Sequence, residues 1–417
     1  MTALLTEAEV QQKVHEGLAA LPLQGKRVLV IIPDPTRTMP LPLFFRSIVA
    51  SLRGRASQVD FLVALGTHPP LSEAELLKLV GLSAAEKAQA YPDVHLFNHA
   101  WQDASALTQV GEISAEQVAE ISRGMLHQSV PVRLNKLILD YDHLLVCGPV
   151  FPHEVVGFSG GNKYFFPGIA GPDIIDLSHW LGALLTSFEI IGTKNTPVRQ
   201  LIDLAASFIP RPRSAICVVD TPEGVAGVFC GTPEAAWAQA ADLSAQVHIR
   251  WVDHPYETVL SVMPAMYTEI WTGAKGMYKM EPVVADGGEV IIYAPHIHEI
   301  SVVHGAYLHR IGYHVRDYFL KQPGKFDDIP GGVRAHSTHL RGVGTYDPVT
   351  GIEKPRIRVT LSTGISEAEC RSVNLGYRDP ASINVEEWLQ RQDEHLLVVP
   401  RAGEFLYRLK PKGAGCS

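Results

Sequence analysis

The sequence predicts two α/β domains built on parallel-type sheets. With 417 residues, the chain is longer than a single hydrophobic core usually serves. Apolar strand-like runs alternate along it with helices of amphipathic spacing, as in parallel sheets covered by helices. We expect an N-terminal domain over residues 1–247, rejoined by the tail 398–417, and a C-terminal domain over residues 248–397.

The N-terminal domain is predicted to repeat a strand–loop–helix unit. Capping boxes, in which a Ser or Thr is followed three residues later by Glu, open two of the helices. Parallel strands end at one edge of a sheet, so the loops that follow them are expected to converge there. The predicted elements are a helix from Thr6 (with Glu9) carrying Val10, Val14, Leu18 and Leu21, strand Arg27–Ile32, helix Leu41–Arg53, strand Val59–Leu65, a helix from Ser72 (with Glu75), strands Leu144–Val150 and Ala215–Asp220, and helix Pro233–Val247.

The C-terminal domain is predicted from a shorter set of similar signals. Segment Gln322–Gly351, rich in Gly, Pro and Asp, is expected to be irregular and is a candidate lid. The predicted elements are strand Val259–Met263, a loop entering a helix over Tyr267–Met280, strand Glu289–Tyr293 after Gly287-Gly288, and strand Leu396–Val399.

Composition excludes several classes of partner. The chain is 46% hydrophobic and 19% charged, as in soluble globular proteins. A net charge of −8 disfavours nucleic acid, whose phosphates require clustered Lys and Arg. No stretch approaches the roughly 20 apolar residues that cross a bilayer, and the N-terminus lacks a signal peptide, so we expect a cytoplasmic protein without membrane insertion. The cysteines are widely spaced and predicted to be reduced: Cys147, Cys217, Cys230, Cys370 and Cys416.

The most informative segment is residues 152–170, PHEVVGFSGGNKYFFPGIA. It follows a predicted strand, so His153 is expected at that strand's carboxyl end, where open α/β sheets bind ligands. Its glycine-rich bend matches neither the phosphate loop of kinases nor the full dinucleotide fingerprint, which disfavours a kinase or an ordinary dehydrogenase.

The bend itself predicts a cofactor held by a covalent bond. Backbone amides freed by Gly160 and Gly161, beside Ser159, are suited to cradle a phosphate. Lys163 lies among the aromatic residues 164–166, and partial desolvation there would lower its pKa and make its amine a nucleophile.

Three histidines, His68, His153 and His179, are candidates for acid, base or metal-ligand roles. Any one of them alone is as readily structural, but three histidines with a reactive lysine favour a functional site. Their spacing does not match a zinc motif, so an all-protein zinc site is not expected, whereas a metal held partly by a cofactor remains open.

Two charged segments are weaker candidates, each with a structural alternative. Asp34 and Arg37 flank one loop, where Asp caps a helix or Arg binds a carboxylate. Lys275 lies between small residues that allow a ligand to approach, or is simply solvated. Side chains at the end of a later strand alternate in direction, so only one or two are expected to face a pocket: His296, His298 and Glu299.

These segments together resemble the nickel-pincer-nucleotide lactate racemases and their relatives. The matching segments, in the family's order, are residues 34–37 (DPTR), 66–70 (GTHPP), 153–170 with His179, and 267–277. The resemblance implies two α/β domains with an active-site cleft between them and a racemase or epimerase of 2-hydroxy acids.

The resemblance also implies the cofactor and its attachment. Lys163 would form a thioamide link to the nickel-pincer nucleotide, pyridinium-3-thioamide-5-thiocarboxylic acid mononucleotide. His179 would supply the protein ligand to nickel, and Asp34 matches an acidic residue beside the cofactor. Proteins that make and load this cofactor are implied as partners.

Roles toward the substrate follow from the same resemblance. His68 and His153 would face opposite sides of the substrate's C2, one moving the hydroxyl proton while a hydride passes to the pincer carbon and back. Hydride returned to the other face inverts the centre. Arg37 and Lys275 match positions that hold the carboxylate and a neighbouring oxygen.

Departures from the family pattern bear on the substrate. Thr272 stands where lactate racemases have glutamine, and Pro35 stands where they have histidine. No equivalent of their substrate-covering tryptophan is placed. The shorter side chain at 272 would enlarge the pocket, and His296, His298 and Glu299 can bind further hydroxyls, with His298 the candidate for a substrate contact, so we expect a sugar acid such as gluconate. Alternatives are a lactate or short-chain racemase, a nickel or cofactor carrier without turnover, and a metal-dependent hydrolase.

Overall fold

The structure, a computed structural model, describes residues 3–411, which form two compact units. The first unit comprises the chain up to Phe151 with Phe158–Ser178 and Lys194–Val247. The second comprises Pro152–Gly157, His179–Thr193 and the chain from His248 onward. Two short segments of the N-terminal half therefore belong to the second unit.

Helices occur throughout both units, and several begin at the predicted caps. The capping boxes at Thr6 and Ser72 are both formed. The helices are α1 Glu7–Ala19, α2 Leu41–Leu52, α3 Glu73–Leu79, α4 Ala84–Ala90, α5 Ala115–Ile121, α6 Pro172–Leu185, α7 Ser187–Ile190, α8 Pro197–Ser207, α9 Pro233–His248, α10 Ile270–Gly273, α11 Lys275–Tyr278, α12 Gly305–Ile311, α13 Arg316–Leu320, α14 Gly331–Arg341, α15 Glu367–Ser372 and α16 Val385–Gln390.

The strands of the first half of the chain build the central sheet of the first unit. Its order is β10-β9-β6-β1-β2-β3, with β10 antiparallel to β9 and the other pairs parallel. These strands, with the paired β4 and β5 and the short β7 and β8, are β1 Arg27–Pro33, β2 Gln58–Ala64, β3 Leu96–Asn98, β4 Leu107–Ile113, β5 Val130–Asn135, β6 His143–Pro149, β7 Pro152–His153, β8 Gly157–Phe158, β9 Arg213–Thr221 and β10 Gly224–Gly231.

The core of the first unit explains why β1 is central. Its residues are buried from Val28 to Pro33, since neighbouring strands flank it on both edges. Alternate apolar residues of β1 join a core with one face of α1 and most of α2. Leu21, expected within the first helix, lies two residues beyond its end.

The second unit contains a parallel sheet of order β17-β16-β13-β12-β18. The prediction of α/β units with parallel-type sheets is confirmed. The remaining strands are β11 Ile249–Val252, β12 Tyr256–Val262, β13 Val284–Ala294, β14 Gly344–Asp347, β15 Ile352–Pro355, β16 Arg358–Thr363, β17 Gly376–Tyr377, β18 Leu396–Val399 and β19 Leu406–Leu409.

Three local expectations for the second unit are corrected. The tail does not rejoin the first unit over its described residues, because β19 pairs with β11 of the second unit. The segment 322–351 is not irregular throughout, since α14 buries Val333, Ala335 and Leu340 and β14 follows it. Gly287 and Gly288 lie inside β13 rather than before it, Gly287 with a φ of 77°.

Two further properties of the described residues complete the description. No helix within 3–411 combines the length and apolar character needed to cross a bilayer. The cysteines of this range are free thiols, and Cys416 lies outside it.

Candidate functional site

Three loops of the first unit meet at one edge of its sheet. Strands β6, β1 and β2 are parallel neighbours, and their carboxyl ends lead to the residues 158–164, 34–37 and 65–68. The strand order reverses at β1, because the chain continues to β2 on one side and later returns as β6 on the other. Such a reversal opens a crevice between the loops that follow the two strands.

A buried carboxylate binds a histidine at this edge. Asp34 Oδ2 lies 3.0 Å from His68 Nδ1, and Asp34 Oδ1 accepts a hydrogen bond of 2.7 Å from the Thr36 amide. Burial alone would raise the pKa of Asp34, but His68, Arg37 and these hydrogen bonds hold it well below its usual value. Asp34 is therefore a carboxylate, which only accepts hydrogen bonds, so His68 Nδ1 carries the proton.

Arg37 is held in the same loop. Its Nη1 donates to Thr36 Oγ1 at 2.9 Å, and its guanidinium lies 5.7 Å from the centre of the Phe151 ring. The arginine therefore presents a positive charge beside the Asp34 carboxylate, as a carboxylate-binding group requires.

A cavity joins the first loop to the glycine-rich bend. It encloses about 320 Å³, some of it continuous with solvent. Cations and backbone polar groups meet in it, together with the ring of Tyr164. Its lining residues are Pro33, Asp34, Arg37, Ala64, Ser159, Gly160, Lys163, Tyr164 and Gly168.

Glycine is required at the bend for two physical reasons. Gly160 has a φ of 85°, and a Cβ there would lie 2.4 Å from a methyl carbon of Val150. Gly161 also has a positive φ, but it packs against Trp237 and is not among the cavity-lining residues. Of the two predicted glycines, Gly160 is the one that borders the cavity.

The backbone position of Lys163 is fixed by the residues next to it in the sequence. It lies in a 3₁₀ turn, Gly161–Tyr164, and is followed by the fully buried Phe165 and Phe166. Its own side chain is half-buried and lines the cavity. The amine is thus presented at the cavity by a turn anchored in the core.

In the second unit, His153 is buried beside a carboxylate. The Val155 amide donates to His153 Nδ1 at 3.2 Å, and Glu154 Oε2 lies 3.3 Å from the same nitrogen. A nitrogen that accepts this amide leaves Nε2 as the protonated nitrogen of the neutral ring. Glu154 is positioned to stabilise the ring when it is positively charged.

His179 lies on α6 and is half-buried. Its neighbour His339 is buried on α14, and burial lowers the pKa of His339 to about 4, with His179 acting in the same direction and Glu154 opposing it. His339 is therefore neutral at physiological pH, so it adds no positive charge beside His179.

Two candidate substrate-binding residues lie on adjacent short helices of the second unit. Thr272 is buried, and its hydroxyl donates to the Glu269 carbonyl at 3.2 Å. Lys275 is also buried, with its Nζ 4.6 Å from the centre of the Tyr267 ring. A lysine ammonium at this distance is attracted by the face of the aromatic ring.

The residues after β13 face solvent. His296, His298 and Glu299 are all exposed, and His296 Nε2 lies 3.0 Å from the Tyr267 carbonyl. The ring of His298 packs where a Cβ of residue 364 would stand, which the glycine there permits. Of these three residues, His296 is the one with a hydrogen bond to Tyr267, the residue whose ring lies under Lys275.

Within residues 3–411, the side chains able to bind a metal ion are chiefly those of His, Cys, Asp and Glu. No three His, Cys, Asp or Glu side chains in that range are arranged to hold a metal ion. The cavity of the first unit, by contrast, is bordered by the side chains of Arg37 and Lys163 and by Gly160, groups that can bind an anion.

Several residues beside these groups carry no signal in the sequence. Trp237 and Arg199 pack behind the glycine-rich bend from helices remote in sequence. In the second unit, Trp271 stacks between His336 and His304, with ring centres 4.2 and 4.3 Å away. These contacts join segments far apart in the sequence, so only the structure reveals them. Position was the one available hint for Trp271, which precedes Thr272 on the same short helix.

Comparison with known proteins gives one family. Residues 6–188 match the family model of the lactate racemase N-terminal domain. The lactate racemases of Thermoanaerobacterium thermosaccharolyticum and Lactiplantibacillus plantarum are 25% and 24% identical over 280 and 283 residues, 65% of this chain in each case. The match spans 60% and 61% of those two proteins, so the chain covers about three fifths of their length.

Solved structures extend the similarity to the whole chain. A crystal structure of a Thermotoga maritima protein is 33% identical with a TM-score of 0.90, covering 97% of this chain and 99% of that one. The lactate racemase apoprotein of T. thermosaccharolyticum has a TM-score of 0.73 at 19% identity, covering 97% and 94%. The second similarity concerns the fold alone.

Proposed function

We propose that this chain, which belongs to the lactate racemase family, is an isomerase that inverts C2 of a 2-hydroxy acid. One observation carries the proposal. His68 is bound by the Asp34 carboxylate at the edge of a sheet where Arg37 and Lys163 line a cavity. An oriented imidazole with the Arg37 guanidinium at the same edge of the sheet is suited to move a proton on a carboxylate-bearing substrate, and Lys163 is left for the cofactor.

Each residue has a proposed role that its surroundings support. Because its Nδ1–H donates a hydrogen bond to Asp34, His68 offers Nε2 to take a proton from the substrate hydroxyl and to return it. His153, whose Nε2 carries the proton while Nδ1 accepts the Val155 amide, would act on the other face of C2 as the group that gives a proton and later takes it back. Arg37 and Lys275 would hold the substrate carboxylate and the adjacent oxygen.

We propose a nickel-pincer nucleotide as cofactor, bound covalently to Lys163. When bound, it would supply the acceptor and donor of a hydride at C2. The residues of the first unit suit it: Lys163 offers an amine at the cavity, and the Gly160 backbone offers a hydrogen-bond donor for a phosphate. His179, half-buried on its helix, is the proposed protein ligand to nickel.

The proposed substrate is a polyhydroxylated acid such as gluconate rather than lactate. Thr272 is buried and its hydroxyl is engaged by the Glu269 carbonyl, so it projects less into its surroundings than a glutamine would. His298 is exposed and is proposed to bind a distal hydroxyl. The enzyme is further proposed to be cytoplasmic and to depend on proteins that make and load the cofactor.

Isotope exchange tests the reaction. Holoenzyme from cells that make the cofactor is incubated in deuterated water with lactate, malate, phenyllactate and gluconate, and the configuration and deuterium content at C2 are measured. We expect inversion, fastest for gluconate, with little deuterium at C2. Rapid deuterium uptake at C2 would mean proton abstraction from carbon and would overturn hydride transfer.

Intact mass after denaturation tests the attachment. We expect a covalent increase in wild-type holoenzyme that is absent from the Lys163→Arg variant and retained in Lys194→Arg, a matched change at a surface lysine paired with Asp242. An adduct without inversion of any hydroxy acid would identify a cofactor carrier. Inversion by protein of unmodified mass would contradict the tether.

A further inference from the structure

Three consecutive carbonyls of the glycine-rich bend are bound from behind by two side chains. Arg199 Nη2 donates to the Phe158 carbonyl at 2.5 Å, and Arg199 Nη1 donates to the Gly160 carbonyl at 3.3 Å. Trp237 Nε1 donates to the Ser159 carbonyl, between them, at 2.9 Å. No carbonyl of residues 158–160 is therefore left to face the cavity.

The two side chains also hold each other. The guanidinium carbon of Arg199 lies 4.0 Å from the centre of the Trp237 ring, and both residues are buried. Burial lowers the pKa of Arg199 to about 10, with Asp203 opposing this shift, so the guanidinium is charged at neutral pH. Arg199 lies in the first turn of α8, where its amide donates to Thr196 Oγ1 at 3.0 Å, and Trp237 lies on α9.

The orientation of these carbonyls fixes the amides between them. In a trans peptide, the N–H points opposite to the preceding carbonyl. The Ser159 carbonyl points to Trp237, which does not line the cavity, so the Gly160 N–H points away from Trp237. Ser159 and Gly160 both line the cavity, which puts this N–H on the side of Arg37 and Lys163.

A second set of contacts clamps the residue before Lys163. Asn162 Nδ2 donates to Asp203 at 2.9 Å and to Glu234 at 2.7 Å, while its Oδ1 accepts from Arg213 at 3.0 Å. Asp203 lies one turn beyond Arg199 on α8, and Glu234 lies one turn before Trp237 on α9. The same two helices thus hold both ends of the bend.

We infer that Arg199 and Trp237 are positioning residues that aim the Gly160 amide and the Lys163 turn at an anionic group in the cavity. The inference rests on the proposed function only in naming that group, the phosphate of a pyridinium mononucleotide. Neither side chain lines the cavity, so both act through the backbone they hold.

The variants for the test keep the packing and remove one contact each. Trp237→Phe keeps an aromatic face for Arg199 but loses the donor to the Ser159 carbonyl. Arg199→Lys keeps the charge but cannot reach two carbonyls with a planar fork. Arg211→Lys is the matched control, because Arg211 likewise donates to backbone carbonyls of the first unit, those of Leu139, Tyr141 and Pro210, none of which lines the cavity.

Two measurements on the full-length, unloaded chain separate the possibilities. Hydrogen exchange of residues 158–164 is expected to accelerate about fivefold in Trp237→Phe and Arg199→Lys but not in Arg211→Lys, since one backbone hydrogen bond contributes about 1 kcal/mol. Affinity for nicotinamide mononucleotide is expected to fall about fivefold in the same two variants, with unfolding temperatures no lower than that of the control.

Each outcome decides one of the two proposals. Exchange in the bend that matches wild type, or that rises equally throughout the first unit, overturns the positioning role. Faster exchange in the bend, with no mononucleotide binding by wild type, upholds positioning and counts against the proposed cofactor. Mononucleotide binding that is equal in wild type and both variants overturns positioning and leaves the cofactor proposal intact.

Discussion

Asp34 Oδ2 accepts a hydrogen bond from His68 Nδ1 across a distance of 3.0 Å. The pair joins residues 34 positions apart because β1 and β2 are parallel neighbours whose carboxyl ends lie side by side. A second His–Asp pair in the same unit, His95 and Asp60, has the same 3.0 Å separation but a largely exposed histidine. The chain thus contains a matched comparison for the proposed catalytic pair.

Replacement of Asp34 by Asn is expected to lower kcat by about 10²-fold or more. The Asn amide can donate to Nδ1, which would shift the His68 proton to Nε2 and remove the base from the substrate side. His95→Gln, the control, is expected to leave kcat within about twofold, since the cost of an exposed contact is small. Racemisation rates at saturating substrate, with adduct occupancy at Lys163 measured by mass, check both. Equal rates in Asp34→Asn and wild type would remove His68 from the mechanism.

Sequence patterns predicted the strand-end loops better than the contacts behind them. Asp34, His68 and Lys163 each follow an apolar strand, and parallel strands bring such positions to one edge. The roles of Arg199 and Trp237 could not be predicted in this way. Their partners are backbone carbonyls of a remote segment, and every residue type has a backbone carbonyl, so the sequence contains no pattern that marks such contacts. The helix α14 was missed since its glycines favour a loop locally, whereas burial of one face stabilises the helix.

Replacement of Lys275 by Gln is expected to raise KM by about 10-fold or more without loss of the Lys163 adduct. A buried cation that binds a carboxylate contributes about 1.5–3 kcal/mol, and glutamine removes the charge while retaining a donor. Lys279→Gln is an unsuitable comparison because Lys279 holds the Glu404 carbonyl, so the surface change Lys194→Gln serves as control. Initial rates against substrate concentration give KM. A fall in kcat at constant KM would instead assign Lys275 to the chemical step.

Thr272→Gln is expected to shift preference from gluconate toward lactate. The longer side chain would fill space that Thr272 leaves, and one or two displaced polar contacts change relative kcat/KM by about 10-fold. Thr272→Ser keeps the hydroxyl bonded to the Glu269 carbonyl and should preserve the wild-type ratio. The ratio of kcat/KM for the two acids is the measurement. An unchanged ratio in Thr272→Gln would count against the pocket argument.

A buried glutamate, Glu281, and a half-buried one, Glu353, both in the second unit, are expected to affect stability with opposite signs. Burial raises the pKa of Glu281 above its usual value, although the Val343 amide and Arg356 oppose the shift. Burial also acts on Glu353, but hydrogen bonds from His314 and the Val315 amide lower its pKa overall. Glu281 Oε2 has no hydrogen-bond partner within the described chain, whereas both oxygens of Glu353 are bound.

The sign of each pH dependence follows from linkage. A raised folded pKa means that the unfolded chain loses its proton first, so the contribution of Glu281 to stability is present below its usual pKa and is lost as pH rises. A lowered folded pKa has the reverse effect, so the contribution of Glu353 is present above its usual pKa and is lost as pH falls. Between pH 4 and pH 8, the two groups pull the stability in opposite directions.

Glu281→Gln is therefore expected to raise the unfolding temperature at pH 8 by about 2–4 °C and to have less effect near pH 4. Glutamine can still accept the hydrogen bond from the Val343 amide, but it carries no buried charge. Glu353→Gln is expected to lower the unfolding temperature at pH 8 by a similar amount and to approach wild type near pH 4. Thermal unfolding across this pH range compares the two variants with wild type. A destabilised Glu281→Gln at pH 8 would mean that its carboxylate is charged and satisfied, most directly by Arg356, which already binds the Glu281 carbonyl.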